Sequence, residues 1–577
     1  MKNTELPVSN NIRFLSGDEA LAQGAYEAGL VFAAAYPGTP STEILEYLSR
    51  FPEIDSQWSV NEKVAYEVAY GAAIAGNRSL YASKHVGINV AMDPLMTSAY
   101  IGVNAGFIFI SADDPGLHSS QNEQDNRLVA RFAKVPLLEP ASPAEAKMYI
   151  PYAFNLSEKF DTPVMIRLTT RIAHTKENVQ IGERVNVLPR GFKPDFTKYV
   201  MVPKNAYGRH IELEKRLLRL KEEVEITPLN RIEMNDPSLG IITSSVSYLY
   251  AREIFSNASF LKLGFSYPFP ENLIKKFSSQ VKEVLVIEEL EPMLEEEVAR
   301  LGIAHRAKHP SFRVGELRPE DMLAVKEGTE RVMEASTTRK PVMCPGCPHR
   351  GVYSVLKKLK LTVTGDIGCY TLGALPPLSA IQTCLCMGTG VTMFEGFKKT
   401  LGKDVVGVIG DSTFVHSGIT GLVNAVYNHT KGLIIILDNS TTAMTGTQPH
   451  PATGVTIKGV PTKQLVIEDI CRACGADHVD IVSAYDAKKL EDIIKERVNS
   501  ESLSVLIVRT PCKLIDRSKQ SKVQFEPGHC KKCGACLNAG CPALSKSDDG
   551  LIKIDPGLCV GCYVCVPYCK FDALKKP

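Results

Sequence analysis

Eight of the sixteen cysteines in this 577-residue chain fall within its last 48 residues, at positions 530, 533, 536, 541, 559, 562, 565 and 569. A stretch that short, so dense in thiols and so poor in helix signals, has little hydrophobic core of its own and must be held by cross-links or metal. Disulfide frameworks belong to small exported domains, and the polar start of this chain, residues 1–13, lacks the apolar core of a signal peptide. In a reducing compartment the thiols read as metal ligands. The rest of the chain is too long for one core and predicts roughly three to five domains. With 66 basic against 64 acidic side chains the formal charge is +2, which gives no reason to expect a nucleic-acid partner. The longest uncharged run, residues 367–394, contains Pro376-Pro377 and several glycines, unlike a bilayer span. The expectation is a cytoplasmic protein with no membrane segment.

Cys530, Cys533 and Cys536 are followed by Cys541-Pro542, and Cys559, Cys562 and Cys565 by Cys569. This resembles the bacterial two-cluster ferredoxin pattern, in which the fourth cysteine of each run serves the other 4Fe–4S cluster. The resemblance implies one ligand set of Cys530, Cys533, Cys536 and Cys569, and another of Cys559, Cys562, Cys565 and Cys541. The first run has four residues before its last cysteine instead of three, and Lys570 replaces the usual proline; neither departure removes a ligand. Zinc sites of the Cys₄ type, the competing reading, pair their thiols as two C-x-x-C units rather than as triplets.

Upstream, apolar strands alternate with helices, which predicts α/β domains built on parallel sheets. Ser16 and Glu19 form a capping-box pattern before a helix at 19–29, and strands are expected at 31–35, 107–111 and 164–168. Thr39 and Pro40 read as the N-cap and first residue of the next helix. Residues 205–225 are highly charged, with Leu213, Leu217, Leu220 and Val224 at helical spacing, and read as a solvated linker helix. Strands at 240–243 and 283–287 follow, with an acidic surface helix at 289–298. The third α/β unit has strands at 405–409, 433–437 and 504–508 and a helix at 419–427.

Gly410-Asp411-Ser412 closes the first of those strands and Asp438-Asn439 the second, so Asp411 and Asn439 fall at the carboxyl ends of neighbouring parallel strands, where open α/β sheets bind ligands. A carboxylate, an amide oxygen and a backbone carbonyl suit Mg²⁺ on a diphosphate. The pair resembles the G-D-G…N motif of thiamine-diphosphate enzymes, with Ser412 in place of the second glycine and a Gly/Thr-rich loop at 440–462 behind it. That resemblance implies metal ligation by Asp411, Asn439 and the Thr441 carbonyl. Tyr36-Pro37-Gly38-Thr39-Pro40-Ser41-Thr42-Glu43 looks like the Y-P-x-T-P-S-[ST]-E element of 2-oxoacid:ferredoxin oxidoreductases. Asn61-Glu62-Lys63 resembles their segment that carries the cofactor-activating glutamate. Further matching stretches are Ser111-Ala112-Asp113-Asp114-Pro115-Gly116, Ser120-Gln121-Asn122-Glu123-Gln124, Cys344-Pro345-Gly346-Cys347-Pro348-His349-Arg350 and Thr442-Ala443-Met444-Thr445-Gly446. They run in family order over nearly the whole chain, and the chain most resembles the large (alpha) subunits of indolepyruvate ferredoxin oxidoreductases.

The resemblance implies five segments: a pyrimidine-binding domain at 1–200, a charged linker at 201–235, a transketolase C-terminal-like middle domain at 236–335, a diphosphate-binding domain at 336–520 and the ferredoxin domain at 521–577. It also implies oxidative decarboxylation of aryl-2-oxoacids such as indolepyruvate with coenzyme A, giving an arylacetyl-CoA and reduced ferredoxin, a step of aromatic amino-acid catabolism. Glu62 would hydrogen-bond the aminopyrimidine of thiamine diphosphate and Thr39 the substrate carboxylate. His85 and His450 either border the cofactor or are structural. A smaller beta subunit is expected, in an assembly of two alpha and two beta chains. A third cluster on Cys344, Cys347, Cys369 and Cys512 stands against a reading of these residues as buried structural thiols. Other 2-oxoacids (pyruvate, 2-oxoglutarate) and a non-catalytic electron-transfer subunit are the alternatives.

Overall fold

The computed structural model describes residues 11–331, 342–516, 518 and 520–577. It divides into two compact units, Met1–Ala335 and Ser336–Pro577. Among the described residues no helix is long and apolar enough to cross a membrane.

The first unit is built on two large sheets, with Ile12–Ser16 and Lys176–Gln180 paired as a separate two-stranded sheet. Six parallel strands run in the order Leu137–Leu138, Val164–Thr169, Phe107–Asp113, Ser79–Lys84, Phe32–Ala35 and Asp55–Trp58. All seven residues of Phe107–Asp113 are buried, as expected of a parallel strand covered on both faces. The seventh strand, Phe265–Tyr267, pairs antiparallel with Leu137–Leu138 and comes from the middle segment. That segment's own five-stranded sheet is centred on Asp236–Ser244. The two segments are therefore stitched at a shared sheet edge, and a boundary at residue 235 does not separate two independent bodies.

The structure departs from three local expectations. The capping box closes between Ser16 and Glu19, and the helix it starts is Gly17–Glu27. The next helix, however, is Thr42–Leu48 with Ser41 at its N-cap, and Thr39-Pro40 is a cis peptide in the turn before it. The charged helix Pro203–Ile226 is no solvated linker. Leu213, Arg216, Leu220 and Val224 are buried, and Arg216 donates to the Ala99 carbonyl at 2.7 Å. Nor is the acidic helix, observed at Met293–Arg300, merely surface, since its own Glu297 is buried and so are Glu288 and Glu289 just before it. Arg127 explains the burial of Glu288. Its guanidinium bonds Asp125 at 2.6 Å, Glu288 at 2.6 Å and the carbonyls of Glu289 and Glu291, which supplies the pairing a buried carboxylate needs.

The second unit holds one five-stranded parallel sheet in the order Thr362–Thr364, Val405–Gly410, Gly432–Asp438, Leu503–Arg509 and His478–Val482. The tail pairs Gln524–Phe525 with Leu574–Lys575 and Leu544–Lys546 with Ile552–Ile554, both antiparallel, around a small core that includes Cys536 and Cys565, with Cys530, Cys541, Cys559 and Cys569 packed against it.

Candidate functional site

In the second unit, Val405–Gly410 and Gly432–Asp438 are adjacent and parallel, so Asp411 and Asn439 leave the sheet side by side. Asp411 opens a helical turn and Oδ1 accepts the Ser412 amide at 2.8 Å. Its Oδ2 accepts the Ser440 amide, also at 2.8 Å, which draws the loop after Asn439 over it. Asn439 Oδ1 accepts the Thr441 amide at 3.2 Å, and Thr442 Oγ1 bonds Ser412 Oγ at 3.0 Å. Asp411, Ser412, Asn439 and Thr441 are all buried. Gly410 is required by space: a Cβ there would stand 2.4 Å from Tyr370 Cε1, and the Tyr370 hydroxyl is tied to Ile367 O and Thr413 Oγ1. This donor set is hard and oxygen-based, which fits a magnesium–diphosphate pair.

Two histidines, His450 and the motif residue His349, close the site. His450 Nε2 lies 3.3 Å from Asp411 Oδ2. His349 Nε2 is 3.4 Å from Asn439 Nδ2, and burial holds its imidazole down to about 4, against the pull of Asp411. A neutral ring nitrogen there accepts from the amide NH₂ and leaves Asn439 Oδ1 facing the Thr441 amide. Asp438 is pushed up by burial and by the Asp411 charge, while Arg509, at 2.6 Å, opposes the rise.

Cys344, Cys347, Cys369 and Cys512, separated by up to 168 positions, share one neighbourhood. Burial pushes the Cys347 thiol up to about 12 and the Cys369 thiol up to about 11. Cys369 and Cys344 add to the rise of Cys347, Cys512 and Cys344 to that of Cys369, and Cys344 to that of Cys512. In the tail, burial raises Cys536, and Cys569, Cys533 and Cys530 act on it. The same four thiols line one cavity. Burial carries Cys565 up to about 12, with Cys562, Cys541 and Cys559 adding to it. Four tail thiols thus line one cavity, while the other eight influence one another electrostatically within the two remaining sets. Among the described residues no three His, Cys, Asp or Glu side chains converge on a single ion. The Asp411 site draws on one carboxylate only, and cubanes spread their thiolates over separate irons.

In the first unit, Glu62 is the first residue of the helix Glu62–Ala75, capped by Asn61, whose side chain accepts the Val64 amide. It is buried against Gly87, where a Cβ would meet Glu62 Cγ and Oε1 at 2.8 Å. Thr39 lies past the end of Phe32–Ala35, and its carbonyl accepts from Ser119 Oγ at 3.3 Å. Thr39, His118, Ser119, Thr170, Arg171 and His174 line an open cavity. His85 is fully buried, with Nε2 3.2 Å from both Asn122 oxygens. The sequence reading passed over Lys84. Burial lowers its amine to about 8 against the pull of Asp114, and Nζ donates to Ser119. A lysine closing an otherwise uncharged strand, Ser79–Lys84, was the available signal.

Comparison with known proteins agrees with this layout. The family model "Pyruvate flavodoxin/ferredoxin oxidoreductase, thiamine diP-bdg" matches residues 23–219, "Thiamine pyrophosphate enzyme, C-terminal TPP binding domain" matches 366–508, and "4Fe-4S binding domain" matches 552–575. Indolepyruvate oxidoreductase subunit IorA of Archaeoglobus fulgidus is 38% identical over 576 residues, covering 92% of each chain. The subunit of the same name from Methanothermobacter marburgensis is 40% identical over 567 residues, again covering 92% of each. 2-Oxoglutarate synthase subunit KorA of A. fulgidus is 26% identical over 349 residues, 55% of this chain and 99% of that one. A solved 2-oxoglutarate:ferredoxin oxidoreductase from Magnetococcus marinus aligns with a TM-score of 0.47 and 16% identity over 55% of this chain and 65% of that one. Thiamine-enzyme domains joined to a 4Fe–4S tail define a thiamine-diphosphate-dependent 2-oxoacid:ferredoxin oxidoreductase. Within that class, the chain belongs to the family of indolepyruvate oxidoreductase IorA subunits.

Proposed function

We propose that this chain is the large subunit of an enzyme that oxidatively decarboxylates aryl-2-oxoacids, indolepyruvate among them, with coenzyme A. The products are an arylacetyl-CoA, carbon dioxide, the proton released from the coenzyme A thiol and two electrons, which leave singly to ferredoxin. The observation that carries the reading is the similarity to IorA subunits over 92% of the chain. A smaller second subunit completes the enzyme, in an assembly of two large and two small chains working in the cytoplasm.

Asp411, Asn439 and the Thr441 carbonyl would hold Mg²⁺, with Gly410 and Ser412 against the diphosphate. Thiamine diphosphate, when bound, supplies the electron sink that lets the carboxylate leave. Glu62 holds and moves the proton at the aminopyrimidine, and its burial against Gly87 fixes where that proton sits. Thr39, at the cavity wall, orients the substrate carboxylate. Cys530, Cys533, Cys536 and Cys569 would hold one 4Fe–4S cluster, and Cys559, Cys562, Cys565 and Cys541 a second. Cys344, Cys347, Cys369 and Cys512 would hold a third, nearest the thiamine site, because Cys512 is bonded to Asn439 through its amide at 2.9 Å.

Partial similarity to a 2-oxoglutarate synthase subunit favours, as a second reading, the same chemistry on a different oxoacid. Turnover of the purified two-subunit enzyme with indolepyruvate, phenylpyruvate, pyruvate and 2-oxoglutarate, using a viologen acceptor, separates the two. The aryl acids should give the higher kcat/KM. Preference for 2-oxoglutarate or pyruvate would overturn the aryl assignment.

A further inference from the structure

Arg350 follows the Cys344-Pro345-Gly346-Cys347 loop and is 2% exposed. A guanidinium carries five N–H donors, and the bonds made here account for four of them. Nη2 donates to the carbonyls of Met343 at 2.9 Å and Cys344 at 3.2 Å, within its own loop. Nη1 donates to the carbonyls of Ala539 at 2.9 Å and of Gly540, immediately before Cys541 in the tail. Nε has no protein partner among the described residues. One buried cation thus clasps a loop from each of two thiol groups, with a donor left over.

The surroundings are fitted to that clasp. Gly346, between Cys344 and Cys347, has φ +69°, and a Cβ there would stand 2.1 Å from Val560, between Cys559 and Cys562. Gly540 has φ +64°, and a Cβ there would stand 3.1 Å from Arg350 Nη1. Both positions need glycine for backbone conformation and for close approach. The Tyr485 hydroxyl donates to the Gly346 carbonyl at 2.7 Å. Burial raises that phenol, and Cys562, Cys347 and Cys512 all act on it, so Tyr485 faces both thiol groups.

We propose that Arg350 is a positioning residue for electron transfer, docking the Cys541–Cys565 cluster against the Cys344–Cys512 cluster and raising the reduction potential of the tail cluster it faces. The inference rests on the cluster assignments above. A 4Fe–4S cluster gains one negative charge on reduction, so a fixed cation beside it favours the reduced form. The step served is the passage of one electron from a reduced cubane at the Cys344 group to an oxidised one at the Cys541 group. No bond or proton moves.

The test is a redox titration of the holoenzyme followed by electron paramagnetic resonance, for wild type, Arg350→Lys and Arg350→Met. Arg350→Met should lower the reduced-to-oxidised ratio of one tail cluster about tenfold at a fixed potential, a shift of 59 mV for one electron. Arg350→Lys keeps the charge and should shift it less, with full iron content. Spin coupling between neighbouring reduced clusters should weaken in both. Unchanged potentials and coupling in the Lys variant and in an iron-replete Met variant would overturn the proposal. If Arg350→Met loses iron, a wild-type potential and coupling in Arg350→Lys overturn it alone. About eight irons per chain with the shift intact would refute the third cluster and leave the effect of Arg350 on the tail supported.

Discussion

Replacing Asp411 with alanine should abolish cofactor binding while sparing the tail, and the structure sets the size of the effect. The Asp411 carboxylate accepts two backbone amides, from Ser412 and Ser440, each at 2.8 Å. The Ser440 amide keeps a second acceptor, Asp438 Oδ1 at 3.1 Å, so the substitution strands only the buried Ser412 amide, at a cost of about 1–3 kcal/mol. Part of that is offset, because Asp438 sits high partly through repulsion from Asp411, which the substitution removes. The apo protein should therefore lose no more than about 1–3 kcal/mol and still fold. Ligand linkage gives the sharper readout. At a hundredfold excess over Kd, thiamine diphosphate with Mg²⁺ stabilises the wild type by about 2.7 kcal/mol, or about 5–10 °C in Tm for a unit of this size. The variant should show no such shift in differential scanning fluorimetry. Its visible absorbance should persist, because the thiolate groups use different ligands from the hard-oxygen site. Stoichiometric thiamine diphosphate in purified Asp411→Ala, or a wild-type thermal shift, would refute the reasoning.

Glu62→Gln should bind thiamine diphosphate yet exchange its thiazolium C2 proton far more slowly than wild type, since an amide cannot carry the proton; exchange at the wild-type rate would exclude Glu62. Gly87→Ala should give a similar loss with Glu62 still present, because the new Cβ would overlap the Glu62 side chain at 2.8 Å. Arg127→Met should destabilise the first unit by about 3–5 kcal/mol in urea unfolding by stranding Asp125 and Glu288, and a cost below about 1 kcal/mol would contradict the buried network. Burial raises Glu289 to about 7 from an ordinary value of 4.5. Between those pH values the folded protein keeps a proton that the unfolded chain has released, so stability should fall as pH rises to about 7. Glu289→Gln should remove that slope and stabilise the unit at pH 8 by roughly 3 kcal/mol; a wild-type slope in the variant would show that Glu289 is not its source.

What the sequence made legible was local. Cysteine spacing announced the tail, and turn residues after apolar runs marked Asp411 and Asn439 at adjacent strand ends, where the structure also has them. What escaped depends on contacts distant in sequence. Arg350 meets its tail acceptors across about 190 positions and Arg127 meets Glu288 across 161, so no window reveals either. Lone charges in apolar strands were the only hint of such burial: Arg167 in Val164–Thr169 is buried against Asp113 and Glu139, and Lys262 in Ala258–Leu263 against Glu145. The charged helix Pro203–Ile226 misled for the opposite reason. Its polar residues outnumber a buried stripe that is narrow but sufficient to dock it. Thr39 looked like a cap because Thr-Pro is a common helix start, but Ser41 holds that position.

A thiamine site wired through three groups of four thiols is tested most directly on anaerobically purified two-subunit enzyme. Thiamine diphosphate and iron are measured on the same sample, each per copy of this chain. The prediction is one thiamine diphosphate and about twelve irons, at four per cluster. About eight irons would remove the Cys344 group from the electron path. Absence of thiamine diphosphate at any iron content would contradict the catalytic reading itself.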